Sequence, residues 1–215
     1  MTRLHPCLYS FRRCPYAMRA RLGLLFAELP VALREIVLKN KPEQMLAISP
    51  KGTVPVLQLL DGTVIAESLE IMMWALEQQD RQGLLNARVL PQAYALIEQN
   101  DREFKYWLDR YKYADRYLDM TQTAYRQRGE VFLQVLEELL TKNRYLLDDR
   151  VTIADISIMP FVRQFAHVNR EGFYHLPYPK LQLWLTEWLE NPLFIQAMMK
   201  FEPWQEGADI VIFPS

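Results

Sequence analysis

Over roughly its first eighty residues the chain changes hydrophobic period repeatedly, and after that it keeps to one. Leu4 to Tyr9 is a short apolar run that reads as a buried strand. Pro15 to Ala27 then carries Ala17, Met18, Leu22, Leu25 and Phe26 at helical spacing. Val31 to Leu38 is strand-like again, and the charged Arg34, Glu35 and Lys39 along it mark an edge strand. Lys41 to Ala47 holds a weak helical turn. Val54 to Leu60, Asp61-Gly62 and Thr63 to Ile65 make a hairpin with a favoured turn dipeptide. Ser68 opens another amphipathic helix through Trp74 and Leu76. The order β-α-β-α-β-β-α specifies an α/β domain with a small mixed sheet.

Asp80 to Pro91 lacks periodicity and holds Gly83 and Pro91, so 80–91 reads as a linker between a first domain, 1–79, and a second, 92–215. The second is all-helical by pattern. Gln92 to Tyr117 is long and aromatic-rich, and Thr123 to Leu140 has a clear apolar stripe. Val151 to Val168 opens with Thr152 and, three residues on, Asp155, which is a capping box with Asp in place of Glu. Lys180 to Leu189 and Leu193 to Met199 follow. From Phe201 the tail is irregular, with Trp204 tucked onto the body.

Composition narrows the function. With 215 residues, 50% of them hydrophobic, and a net charge of −1, the chain can bury two modest cores. That charge balance gives no reason to expect nucleic acid or an anionic membrane as partner. Charges break every apolar run short of a membrane span, and no early stretch has the pattern of a signal peptide. Two cysteines, Cys7 and Cys14, cannot staple a disulfide-rich secreted fold. The expectation is a cytoplasmic, reduced protein.

Cys14 follows a strand and the basic turn Arg12-Arg13, and Pro15 is the residue type favoured at the first helical position. Cys14 is thereby expected at the N-cap, where unpaired amides and the helix dipole favour an anion. Arg12, Arg13 and Arg19 add positive charge. All of these raise the thiolate fraction, and the thiolate is the reactive species. The alternative is a half-buried structural cysteine beside a solvated turn. Cys7, between Pro6 and Leu8, reads as a small core residue. Ala17 stands where a Cys-x-x-Cys motif would have its second cysteine, so a mixed disulfide on Cys14 needs an external thiol to resolve it.

Val54-Pro55 begins a strand, and a cis bond there would expose the Val54 backbone to a peptide-like ligand; a trans proline that starts an edge strand is the alternative. Ser68 suits an N-cap, and a helix N-terminus can also hold a carboxylate. Glu67 beside it could then pair with an ammonium, and a γ-glutamyl head group carries both charges. Simple capping is the other reading of Ser68.

The segments Ser10 to Ala17 with Arg19, Arg21 and Leu22, Lys39-Asn40-Lys41-Pro42-Glu43, Gly52 to Leu57, and Glu67-Ser68 together resemble cysteine-type glutathione transferases, closest to the omega class. The box at Thr152 to Asp155 and the stretch Leu181 to Pro192 resemble that family's helical domain. The resemblance implies a thioredoxin-like first domain with Pro55 cis and Cys14 facing the glutathione sulfur. It implies backbone hydrogen bonds from Val54 to the cysteinyl unit, Glu67 and Ser68 on the γ-glutamyl group, and Lys41 on the glycyl carboxylate. Lys41 rests on resemblance alone, and its other reading is an ordinary solvated lysine. Glutathione is the implied cosubstrate, and a homodimer the implied assembly.

His5, His167 and His175 have no metal-ligand spacing, and no phosphate-binding glycine motif occurs, so neither a metal nor a nucleotide is expected. His167, on an apolar-rich helix, reads as a core histidine. Phe104, Trp107, Leu108 and Tyr111 form a core stripe. Tyr106, Tyr113 and Tyr117 lie off it beside Arg110 and Arg116. Tyr106 and Tyr113, with Tyr16, could line a second-substrate pocket or cover an interface. Three functions are compatible with these residues. The first is glutathione-dependent thiol transfer or reduction of glutathionyl disulfides and dehydroascorbate-like substrates. The second is conjugation of glutathione to electrophiles, and the third is a non-catalytic binding module of the same fold.

Overall fold

The computed structural model describes residues 4–214. The chain divides into two compact units, one running to Gln82 and resuming at Pro192, the other Gly83–Asn191. Strand β1, Cys7–Ser10, is buried along its whole length, as a central strand must be. Helix α1, Pro15–Phe26, follows with proline at its first position. Strand β2, Val31–Glu35, pairs parallel to β1 with Cys7 against Ala32 and Ser10 against Glu35. After α2, Glu43–Ile48, come β3, Val56–Gln58, and β4, Val64–Ile65, both antiparallel. Their loop is Leu60-Asp61-Gly62, one residue longer than an Asp-Gly turn: Leu59 pairs with Thr63, and Gly62 takes a φ of 91°. Helix α3, Ser68–Gln78, packs on α1, with Gly23 against Met72; a Cβ on Gly23 would come within 2.6 Å of that side chain.

In the second unit the expected long first helix is interrupted. Helix α4, Leu90–Gln99, passes through a π turn at Asn100–Phe104 into α5, Lys105–Lys112. Helix α6, Gln122–Leu140, and α7, Ile153–Ala166, complete a core in which Phe104 meets Phe132 at 5.0 Å and Phe165 at 5.6 Å between centroids. The capping box of α7 is present. Buried Asp155 accepts hydrogen bonds from the Thr152 amide and hydroxyl, the Leu146 amide and the Trp184 indole. Burial pushes its carboxyl pKa up, and these four donors pull against that rise. The short α8, Arg170–Tyr174, precedes α9, Pro179–Glu190, whose first amides at Lys180 and Leu181 donate to Glu137 of α6. His167 is not a core residue: it sits exposed just after α7, its Nδ1 2.7 Å from the Arg163 carbonyl oxygen.

The C-terminal residues depart most from expectation. A helical domain over 92–215 would hold them, yet from Pro192 the chain belongs to the first unit. Helix α10, Pro192–Ala197, packs on α1, and β5, Val211–Phe213, pairs antiparallel with β2. The sheet order is therefore β4-β3-β1-β2-β5. Strand β2 is thus interior rather than an edge, because a segment from the far end of the chain covers it. The Trp204 amide also donates to the Glu35 carbonyl oxygen at 2.7 Å.

Candidate active site

The turn that carries Cys14 is short and closed. The Cys14 amide donates to the Phe11 carbonyl oxygen at 2.9 Å, and the Cys14 carbonyl accepts the first helical bond from Met18. The backbone at Cys14 is extended, as at an N-cap, and no side chain caps α1. Its half-buried Sγ lies 3.6 Å from the Val54 carbonyl oxygen, and the Val54–Pro55 bond is cis. Cys14 packs on a core of Cys7, Tyr9, Ile36, Met45, Val54 and Val56, so Cys7 is the core residue expected of it. The sequence separation of Cys14 and Val54 is 40 residues, and antiparallel pairing of β3 on β1 brings them together.

Helix α3 begins at Ser68 itself, with Glu67 in extended conformation at the cap position and no side-chain cap. The capping reading of Ser68 is therefore replaced by another. Its buried hydroxyl accepts a hydrogen bond from Arg19 Nη1 at 3.4 Å. Arg19 is buried in α1 and lies over the Tyr16 ring at 5.7 Å. A guanidinium and a helix N-terminus thus meet at Ser68, and an anion placed there would satisfy both. Exposed Glu67 forms an ion pair with Lys51, an ammonium partner that sequence reasoning did not foresee. Half-buried Lys41 extends along Gly52, its Nζ 3.4 Å from where a Cβ on that glycine would stand. Gly52 has a φ of 63°, so a side chain there would be strained as well as crowded.

The arginines expected to add positive charge near Cys14 are engaged in different ways. Arg13 is exposed and stacks over Phe11 at 5.5 Å. Arg21 is buried and bound to Glu35, and neither residue was singled out from sequence as a pair. The signal was available: two arginines one apart, inside a helix otherwise apolar on every side, require buried partners.

Tyr106 and Tyr113 belong to the helical unit. Arg110 lies 3.4 Å over the Tyr106 ring and 4.5 Å over that of Tyr117, while Arg116 lies 4.5 Å over Tyr113. Among the described residues no group of His, Cys, Asp and Glu could hold a metal ion, and no helix is long and apolar enough to cross a membrane.

A helix mouth bearing a thiol, a cis-proline strand facing it and a second helix N-terminus near an arginine stand together on one thioredoxin-like domain. Residues 8–83 match the glutathione S-transferase N-terminal domain, and residues 105–187 match the C-terminal domain. The chain is 30% identical over 189 residues to glutathione S-transferase omega-1 of Sus scrofa, covering 86% of this chain and 77% of that one. It is 29% identical over 148 residues to the probable cytosolic glutathione S-transferase DHAR1 of Oryza sativa subsp. japonica, covering 68% and 64% of the two chains. A glutathione transferase from Pseudomonas putida, solved with one glutathione disulfide per subunit, superposes with a TM-score of 0.78 at 19% identity over 90% of each chain. The chain belongs to the glutathione S-transferase family.

Proposed function

We propose that the enzyme is a glutathione-dependent thiol transferase of omega-like type, with Cys14 as nucleophile. The observation that carries this reading is a thiol at an uncapped helix N-terminus, opposite Val54 of the cis-proline strand, with no neighbouring cysteine in sequence to resolve a disulfide. The Cys14 thiolate attacks the glutathione sulfur of a mixed disulfide, forming a Cys14–glutathione disulfide and expelling the other thiolate. A second glutathione thiolate then attacks that bond, giving glutathione disulfide and the free Cys14 thiolate. For a dehydroascorbate-like substrate, two glutathione thiols supply the two electrons and two protons.

In this reading the Val54 backbone pairs with the cysteinyl unit and buried Pro55 holds that strand end. Ser68 and the α3 N-terminus take the γ-glutamyl carboxylate, and Glu67 exchanges Lys51 for the γ-glutamyl ammonium. Lys41 takes the glycyl carboxylate. Tyr16, two residues from Cys14, contacts the second substrate, and the active assembly is a cytoplasmic homodimer. The resemblance to omega and DHAR proteins supports thiol transfer over conjugation, since a cysteine can store glutathione as a disulfide.

Replacing Cys14 with serine tests the assignment. Exchange between glutathione and a low-molecular-weight disulfide should fall by at least about 100-fold, because a hydroxyl cannot form the intermediate. Full retained exchange would rule the assignment out.

A further inference from the structure

One buried ion pair of the first unit lies apart from the residues of the proposed glutathione site. Arg21 is 0% exposed and Glu35 is 8% exposed, and the two form a short ion pair. Arg21 also donates from Nε to Ser10 Oγ at 2.9 Å and from Nη1 to the Ala197 carbonyl oxygen at 3.1 Å. The rings of Phe201 and Phe213 lie 5.7 Å from its guanidinium, on the tail that returns to this unit. The second carboxylate oxygen of Glu35 accepts the Arg12 amide at 2.7 Å. Arg12 sits inside the turn that Phe11 and Cys14 close, and the Ser10 carbonyl entering that turn accepts from the Ile36 amide at 2.8 Å.

Such a pair is a poor way to gain stability. Removing two charges from water costs much of what their attraction returns, and apolar residues of like volume often fold as well. What this pair does, and apolar residues could not, is accept the Arg12 amide within the thiol-bearing turn and fix the Ser10 hydroxyl just before it.

We propose that Arg21 and Glu35 are positioning residues for the Cys14 turn, held in register by the C-terminal segment, and that they set the thiol at the α1 N-terminus for attack. This inference rests on the thiol-transfer reading of Cys14. Neither residue touches substrate. Glu35 acts through the Arg12 amide, and Arg21 acts through Glu35 and Ser10. The path from Phe213 and Ala197 to Arg21, Glu35 and Arg12 makes the tail part of the machinery that places the thiol.

The decisive variant is the double substitution Arg21→Met with Glu35→Leu. It removes one charge of each sign, so any change at Cys14 reports geometry rather than net field. It also leaves an apolar filling in place of the pair. Alkylation of the Cys14 peptide by iodoacetamide across pH, melting temperature, and kcat and KM for glutathione are measured on wild type and variant. The variant should remain folded at the assay temperature and melt in a single cooperative transition. The alkylation midpoint should rise by about one pH unit, and kcat should fall about tenfold while the KM for glutathione stays within about twofold. A folded double variant with the wild-type midpoint and kcat would overturn the proposal. If the double variant does not fold, Glu35→Asp decides, because it keeps the charge but draws the carboxylate back from the Arg12 amide. It should shift both readings in the same directions, and unchanged readings would overturn the proposal. A wild type whose Cys14 neither alkylates as a thiolate nor takes up glutathione would instead remove the thiol-transfer reading, and this inference with it.

Discussion

At the scale of single residues, the proposed chemistry rests on the two helix N-termini at Cys14 and Ser68. Neither α1 nor α3 has a side chain hydrogen-bonded at its cap position. Cys14 stands at one mouth, and Ser68 with Arg19 marks the other. Glu67 is held only by Lys51 at an exposed position, and a surface pair of this kind contributes little stability. In the proposed site a ligand ammonium would displace Lys51 at small cost. Glu67→Gln should raise the KM for glutathione by roughly tenfold or more, as expected for losing one charge-assisted hydrogen bond, while kcat changes by less than about threefold. Steady-state kinetics at several glutathione concentrations checks this. An unchanged KM would place the γ-glutamyl group elsewhere.

At the scale of elements, two features carry much of the stability and answer to different measurements. The first is Asp155 at the start of α7. Asp155→Ala removes the acceptor for the Leu146 and Thr152 amides and the Trp184 indole together. Leaving such groups unpaired should cost about 3–5 kcal/mol, read from denaturant unfolding. The second is β5. Phe213 is 1% exposed, and Phe213→Ala should cost about 3 kcal/mol. Hydrogen exchange should then quicken in β2, whose Val31, Ala32 and Leu33 face Phe213, Ile212 and Val211.

Elements whose cause is local were legible in the sequence. Pro15 fixes the start of α1 through its own ring, and Thr152 with Asp155 fixes the start of α7 through two side chains three residues apart. Elements whose cause is distant were not. Strand β2 looks like an edge because its charges are visible in sequence, while β5, which covers it, is a three-residue strand in an irregular tail. Glu35 looks like a solvent-facing charge for the same reason, since Arg21, its partner, reads as one position in a helix. The π turn at Asn100–Phe104 keeps the apolar residues on course through a change of helical pitch, so no break shows in the pattern. At the site, the N-cap position of Cys14 was legible from five consecutive residues, whereas the Arg19–Ser68 contact depends on how α1 and α3 meet.

At the scale of the molecule, the chain leaves the first unit at Gln82 and re-enters it at Pro192. The unit that holds Cys14 is therefore closed only when the last residues are in place. Glutathione that binds the folded state should stabilise it by linkage, by about 2.7 kcal/mol at one hundred times its Kd. Thermal unfolding at rising glutathione concentration should show a steady increase in midpoint, and a midpoint that does not move would argue against a folded glutathione site. Truncating the chain before β5 should weaken that response, because the tail holds Arg21 and Glu35 on the Cys14 turn.

The central claim is that Cys14 carries glutathione as a disulfide between two half-reactions. The direct measurement is peptide mass mapping after brief exposure to glutathione disulfide and acid quench, with and without reduced glutathione added afterwards. One glutathione on the Cys14 peptide, none on buried Cys7, and complete release by reduced glutathione is the expected result. No adduct at Cys14, or an adduct that reduced glutathione does not remove, would contradict the account.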